Sequence, residues 1–122
     1  MENQTLLPVV NEKKVQKEVV HILKEYQALK MRLEYELEQD NINLFPKLRD
    51  SKEICKLKVK RIENILNEIL DSDERSIIMM KFLTNKNLKD SYVQNELMLC
   101  NTYFYQKKKK AIKLIAIALG II

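Results

Sequence analysis

Turn-forming residues are scarce in this chain, and their scarcity constrains the fold more than any other feature. The 122 residues include one glycine and two prolines. Sheet-rich folds need frequent tight turns, which these two residue types usually supply. Since 46% of the residues are apolar, the chain can still fill a core. The sequence therefore predicts an all-α protein whose long N-terminal amphipathic helices are followed by shorter C-terminal ones.

Two stretches in the N-terminal region carry apolar residues at helical spacing. Between Asn11 and Gln39 the steps are 4, 3, 4, 3 and 4, at Val15, Val19, Ile22, Tyr26, Leu29 and Leu33. Between Ser51 and Leu70 the steps are 4, 3, 4 and 3, at Cys55, Val59, Ile62, Leu66 and Ile69. These stripes predict two helices, the second capped by Ser51. Each packs along a partner helix, in the same chain or in a second copy.

Three further helices are predicted after residue 70, each with its own start signal. The caps are supplied by the segment Asp71 to Asp73, by Asp90 or Ser91, and by Asn101 or Thr102. The second of these helices ends near Met98 and the third near Leu119, where Gly120 favours a stop. Only about three residues, Leu-Cys-Asn, separate these last two helices. This is the spacing of a helix-turn-helix, whose second helix enters the DNA major groove.

The net charge of +5 is concentrated in the last of these helices. Residues 1–100 contain 17 basic and 17 acidic residues, whereas residues 101–122 contain five lysines and no acid. A localised basic segment predicts a polyanionic partner. The helical period turns Phe104, Ala111, Ile115 and Ala118 inward. The candidate DNA-binding residues are Asn101, Thr102, Tyr103, Tyr105, Gln106, Lys108, Lys109 and Lys110.

Their chemistry suits DNA. Lysine ammonium groups attract phosphates without requiring one geometry. The amides of Asn101 and Gln106 can pair with adenine, and lysine can reach the acceptors of guanine. Other interpretations of the lysine run stay open, namely a solvated helix face or a helix lying on a membrane surface. The stripes equally allow a helical adaptor that binds proteins and no DNA.

Several classes of function lack a signature here. There is no nucleophile–base pair and no glycine-rich phosphate loop, so we expect no enzyme and no cofactor. One histidine and two cysteines without a CxxC pair predict no metal site and a reducing compartment. The N-terminus has no signal-peptide pattern, and the C-terminal apolar stretch is too short to span a bilayer. We therefore expect a cytoplasmic protein without a membrane partner.

The segments "ERSIIMMKFL" and "NTYFYQKKKKAIKLIAIALGI" carry a resemblance that covers roughly the last 50 residues. They resemble the ArpU family of phage transcriptional regulators and, more distantly, sigma-factor region 4 and RinA-type phage activators. The chain departs from that pattern at Cys100, where a serine cap is expected, and at Lys107, where an aliphatic core residue is expected. If Lys107 points inward, its stem must carry the charge back out.

The resemblance implies a function and a division of the chain. Residues 71–122 would form a sigma-region-4-like helix-turn-helix that binds double-stranded promoter DNA. Residues 1–70 would serve homodimer formation or contact with the host RNA polymerase. The protein would regulate phage or prophage transcription, as an activator of late packaging or lysis genes, in the cytoplasm of a bacterial host and on its nucleoid.

Overall fold

The computed structural model describes residues 11–38, 52–84, 86 and 88–122, without the side chains of residues 36–38. All regular structure in these residues is helical, as the turn-poor sequence predicts. The elements are α1 (Glu12–Glu38), α2 (Lys52–Asn64) with a π-helical turn (Ile65–Ile69), α3 (Ser72–Phe82), α4 (Asp90–Glu96) and α5 (Asn101–Ala118). The predicted cap at Ser51 lies outside the described residues.

The two apolar stripes face the interior of the same chain. Val19, Leu23 and Tyr26 of α1 are buried in one cluster with Val59 and Ile62 of α2. The other stripe residues of α1 pack against this cluster and are partly buried. The partner helix that the spacing predicts is therefore supplied within the chain.

The π-helical turn that continues α2 changes which residues point inward. Ile65, Leu66 and Leu70 are buried, but Ile69 is 46% exposed. The prediction that Ile69 continues the stripe is therefore wrong. A π turn holds an extra residue, so the side chains after it rotate relative to an ideal α-helix.

The three C-terminal helices contribute a second, smaller cluster. Ile77 of α3, Val93 of α4 and Phe104 of α5 are fully buried together. At the start of α3, Asp71 and Glu74 form a capping box, which confirms the cap predicted for this segment. The α4 helix instead begins after Lys89, whose side chain makes no capping hydrogen bond, so the predicted cap at Asp90 or Ser91 is wrong.

The main core draws on both sides of the expected boundary at residue 70. Ile78 of α3 and four residues of α5 share the cluster of α1 and α2; these α5 residues are Ala111, Ile112, Ile115 and Ala116. The α5 helix ends at Ala118, and the predicted stop residue Gly120 follows with a φ of +77°, while the backbone amide of Ile121 donates to the carbonyl of Ala116. No helix in the described ranges is long and apolar enough to cross a membrane.

Candidate nucleic-acid interface

The α5 helix has one buried face and one solvent face. Phe104, Ala111 and Ile115 are at most 1% exposed, as the helical period predicts. Positions one turn apart on the opposite side are exposed, and we call them the solvent stripe: Thr102, Gln106, Lys109 and Lys113. Because the buried face fixes the helix in the core, the orientation of the solvent stripe is also fixed.

The first turn of α5 is open to solvent. Asn101 and Thr102 are both exposed. The N-cap is Cys100, whose side chain makes no capping hydrogen bond, so the predicted cap at Asn101 or Thr102 is wrong. Both side chains lie within the first turn, where they cannot accept hydrogen bonds from the backbone N–H groups that a cap residue reaches. Their polar groups remain available to a ligand.

The two candidate tyrosines have different surroundings. The Tyr103 hydroxyl donates to Asp73 at 2.6 Å, and this hydrogen bond raises the pKa of the phenol. Tyr105 is 45% exposed, with its ring edge-on to Phe104 at 5.1 Å between centroids. Tyr103 is therefore tied to α3, whereas Tyr105 can contact a ligand.

Lys107 faces the body of the protein. Its side chain is 20% exposed, and its ammonium pairs with Asp71 and lies 3.9 Å from the buried Glu74. The hydrogen bond to Asp71 raises the pKa of Lys107, and the same bond lowers the pKa of Asp71. Lys107 therefore points inward, and its charge is paired at the capping box of α3.

Lys108 also pairs inside the protein. Its side chain is 13% exposed and donates to Asp90 at 2.8 Å, while Lys81 of α3 lies 3.3 Å from the other oxygen of Asp90. Burial acts to raise the pKa of Asp90, but the two lysines outweigh it and the net pKa is lowered. This cluster of Lys81, Asp90 and Lys108 joins α3, α4 and α5 through one carboxylate. We call it the Asp90 cluster.

The remaining lysines of α5 point into solvent. Lys109, Lys110 and Lys113 are exposed. Lys109 pairs with Glu12 of α1 at 3.1 Å, but both side chains are more than two-thirds exposed. Exposed pairs of this kind contribute about 0–1 kcal/mol, so the ammonium can readily exchange partners. Three cations on a face of α5 that carries no acid of its own can bind a polyanion.

The structure thus divides the candidate residues. It leaves six of them exposed: Asn101, Thr102, Tyr105, Gln106, Lys109 and Lys110. It ties Tyr103 and Lys108 to acids elsewhere in the chain. Lys113 belongs to the solvent stripe and was not among the predicted residues, although its position four residues after Lys109 places it on the same side of the helix.

Comparisons with known proteins add no further constraint. No family model, curated protein or solved structure matches this chain. Its function is therefore inferred from the surface chemistry of α5.

Proposed function

We propose that this chain binds double-stranded DNA and regulates transcription. The observation that carries the proposal is the solvent stripe of α5, where exposed lysines follow exposed Thr102 and Gln106 on a helix fixed by its buried face. Lysines would neutralise phosphates, and Gln106 with Asn101 would contact base edges. An α-helix of this kind fits the major groove of B-DNA.

The arrangement of α3, α4 and α5 supports a helix-turn-helix as the means of binding. The link Leu97–Cys100 is short, and Met98 within it adopts a left-handed backbone with a φ of 58°. One buried residue from each helix contributes to the second cluster. In this interpretation α5 is the recognition helix, and the Asp90 cluster holds α4 against it.

The regulatory part of the proposal comes from the sequence resemblance. It suggests a phage or prophage activator of late genes that acts at promoter DNA in the bacterial cytoplasm and can contact RNA polymerase. A homodimer would improve affinity by binding two half-sites. The stripe residues of α1 pack within the chain, so a dimer formed through residues 1–70 would use other surfaces of α1 and α2.

Selection from a random duplex pool, followed by fluorescence anisotropy, tests the proposal. Each lysine that neutralises a phosphate changes the slope of log K against log salt by about −0.9. The three exposed lysines of α5 therefore give a slope of about −2.7 or steeper. We expect an enriched sequence motif and this slope. Gln106→Ala should reduce the preference for the motif, whereas Lys109→Ala with Lys113→Ala should weaken binding to every sequence.

The adaptor alternative gives the opposite result. A helical protein-binding adaptor would enrich no sequence and bind no duplex at 50 mM salt. That outcome would contradict the proposal and leave the exposed lysines as a solvated face.

A further inference from the structure

The start of α1 lies beside the solvent stripe of α5. The Glu12 carboxylate in the first turn of α1 is 3.1 Å from the Lys109 ammonium. The two helices also form the walls of an open groove of about 500 Å³, with Val15 and Gln16 on the α1 side. Its α5 side is lined by Tyr105, Lys108, Lys109, Ile112 and Lys113. A ligand bound to the solvent stripe would therefore meet α1 as well.

This part of α1 carries its own exposed lysines. Lys13, Lys14 and Lys17 are exposed, and none forms an ion pair within the described part of the chain. The side chain of Asn11 accepts from the backbone amides of Lys13 at 3.1 Å and Lys14 at 3.2 Å, which orders this turn. Residues 11–17 contain three lysines and one acid, Glu12.

The dimensions of DNA indicate what these lysines would meet. The major groove is about 12 Å wide, and a helix with its side chains is about 10–12 Å across. Packed helices lie about 8–10 Å apart, so α1 cannot share the groove with α5, and the part of a duplex that α1 can reach is the sugar-phosphate strand at the edge of the groove. Lys13 lies three residues, about one turn, before Gln16 of the groove wall, and Lys17 lies one turn after Lys13 on the exposed side of α1.

We propose that Lys13 and Lys17 bind backbone phosphates of the same duplex that α5 contacts. This inference rests on the proposed function, and it extends the binding surface from one helix to two. Together with the three exposed lysines of α5, these two lysines bring the expected slope of log K against log salt to about −4.5.

A matched pair of double variants tests the inference. Lys13→Gln with Lys17→Gln removes two charges from α1, and Lys56→Gln with Lys60→Gln removes two exposed charges from α2. The α1 variant should reduce the magnitude of the salt slope by ~1.8 and weaken binding ~30-fold at 0.15 M salt, equally on all duplexes. The α2 variant should behave like the wild-type protein. Equal slopes for the two variants would overturn the inference.

Two further variants separate the inference from the function on which it rests. Lys109→Gln with Lys113→Gln should weaken binding in either case. If it does so while the α1 variant matches the α2 control, only the inference fails; if none of these variants affects binding, the proposed function fails too. Glu12→Gln should strengthen binding severalfold, because it removes a negative charge from the surface and releases Lys109. Unchanged or weaker binding by Glu12→Gln would also count against a duplex lying on α1.

Discussion

Replacing Lys108 should destabilise the fold, although the residue belongs to a lysine run that looks uniform in the sequence. The change Lys108→Met keeps the aliphatic stem and removes the ammonium that donates to Asp90 at 2.8 Å. A charge-assisted hydrogen bond contributes about 1.5–3 kcal/mol to stability. Because the Asp90 side chain is 23% exposed, water can partly replace the lost donor, and the low end of that range applies. We therefore expect a loss of about 1.5 kcal/mol.

Urea unfolding followed by circular dichroism at 25 °C measures this loss, with Lys109→Met as the matched control. Lys109 is 68% exposed and its partner Glu12 69%, so its replacement should change stability by less than about 0.5 kcal/mol. In a thermal scan Lys108→Met should lower the Tm by about 5 °C. Equal stabilities of the two variants would refute the division of the lysine run into internal and solvent-facing members.

Three further predictions concern pH, the link before α5 and the second cluster. The pKa of Asp90 is lowered in the folded state, so its ion pairs stabilise the protein above the unfolded-state pKa and are lost as the pH falls through the folded-state pKa. Urea unfolding from pH 6 to 3 should therefore show a smaller loss of stability below about pH 4 in Asp90→Asn than in the wild-type protein, and parallel curves would contradict this. Met98→Gly should stabilise the protein by roughly 0.5–1 kcal/mol in urea unfolding, because a left-handed backbone is costly for an L-residue. The Met98 side chain is 90% exposed, so its removal loses no packing. Destabilisation by this change would show that the Met98 conformation is not strained. Phe104→Ala should lower the free energy of unfolding by about 3–5 kcal/mol in the same assay, whereas Ile117→Ala, at a position 51% exposed, should lower it far less. Similar losses of stability in the two variants would contradict the assignment of the buried face of α5.

Helical periodicity predicted the parts of the fold that depend on local sequence. The stripes of α1 and α2, the capping box at Asp71 and the stop at Gly120 each follow from residues close together in the chain. Ile69 was predicted wrongly because a π-helical turn interrupts α2, and no local spacing signals that turn. The starts of α4 and α5 were also misplaced, since neither helix has a side-chain cap that marks its first residue.

The partners of the lysines could not be predicted in the same way. Lys107 pairs with a residue 36 positions away, and Lys108 with one 18 positions away. Only the tertiary packing of α3 and α4 against α5 brings these acids to the lysine run. The position of a lysine on α5 does not by itself decide whether its charge reaches solvent, because acids on the surrounding helices pair with some of these lysines. The acid-free face of α5 could be predicted, because it depends on the period of that helix alone.

An NMR titration of the 15N-labelled protein with its selected duplex tests the central claim most directly. If the solvent stripe of α5 binds DNA, the largest amide shift changes should fall on α5 at Thr102, Gln106, Lys109 and Lys113. Smaller changes should appear at the start of α1, and α2 should be unaffected. Shift changes concentrated on α2, or a spectrum unchanged by saturating duplex, would contradict it.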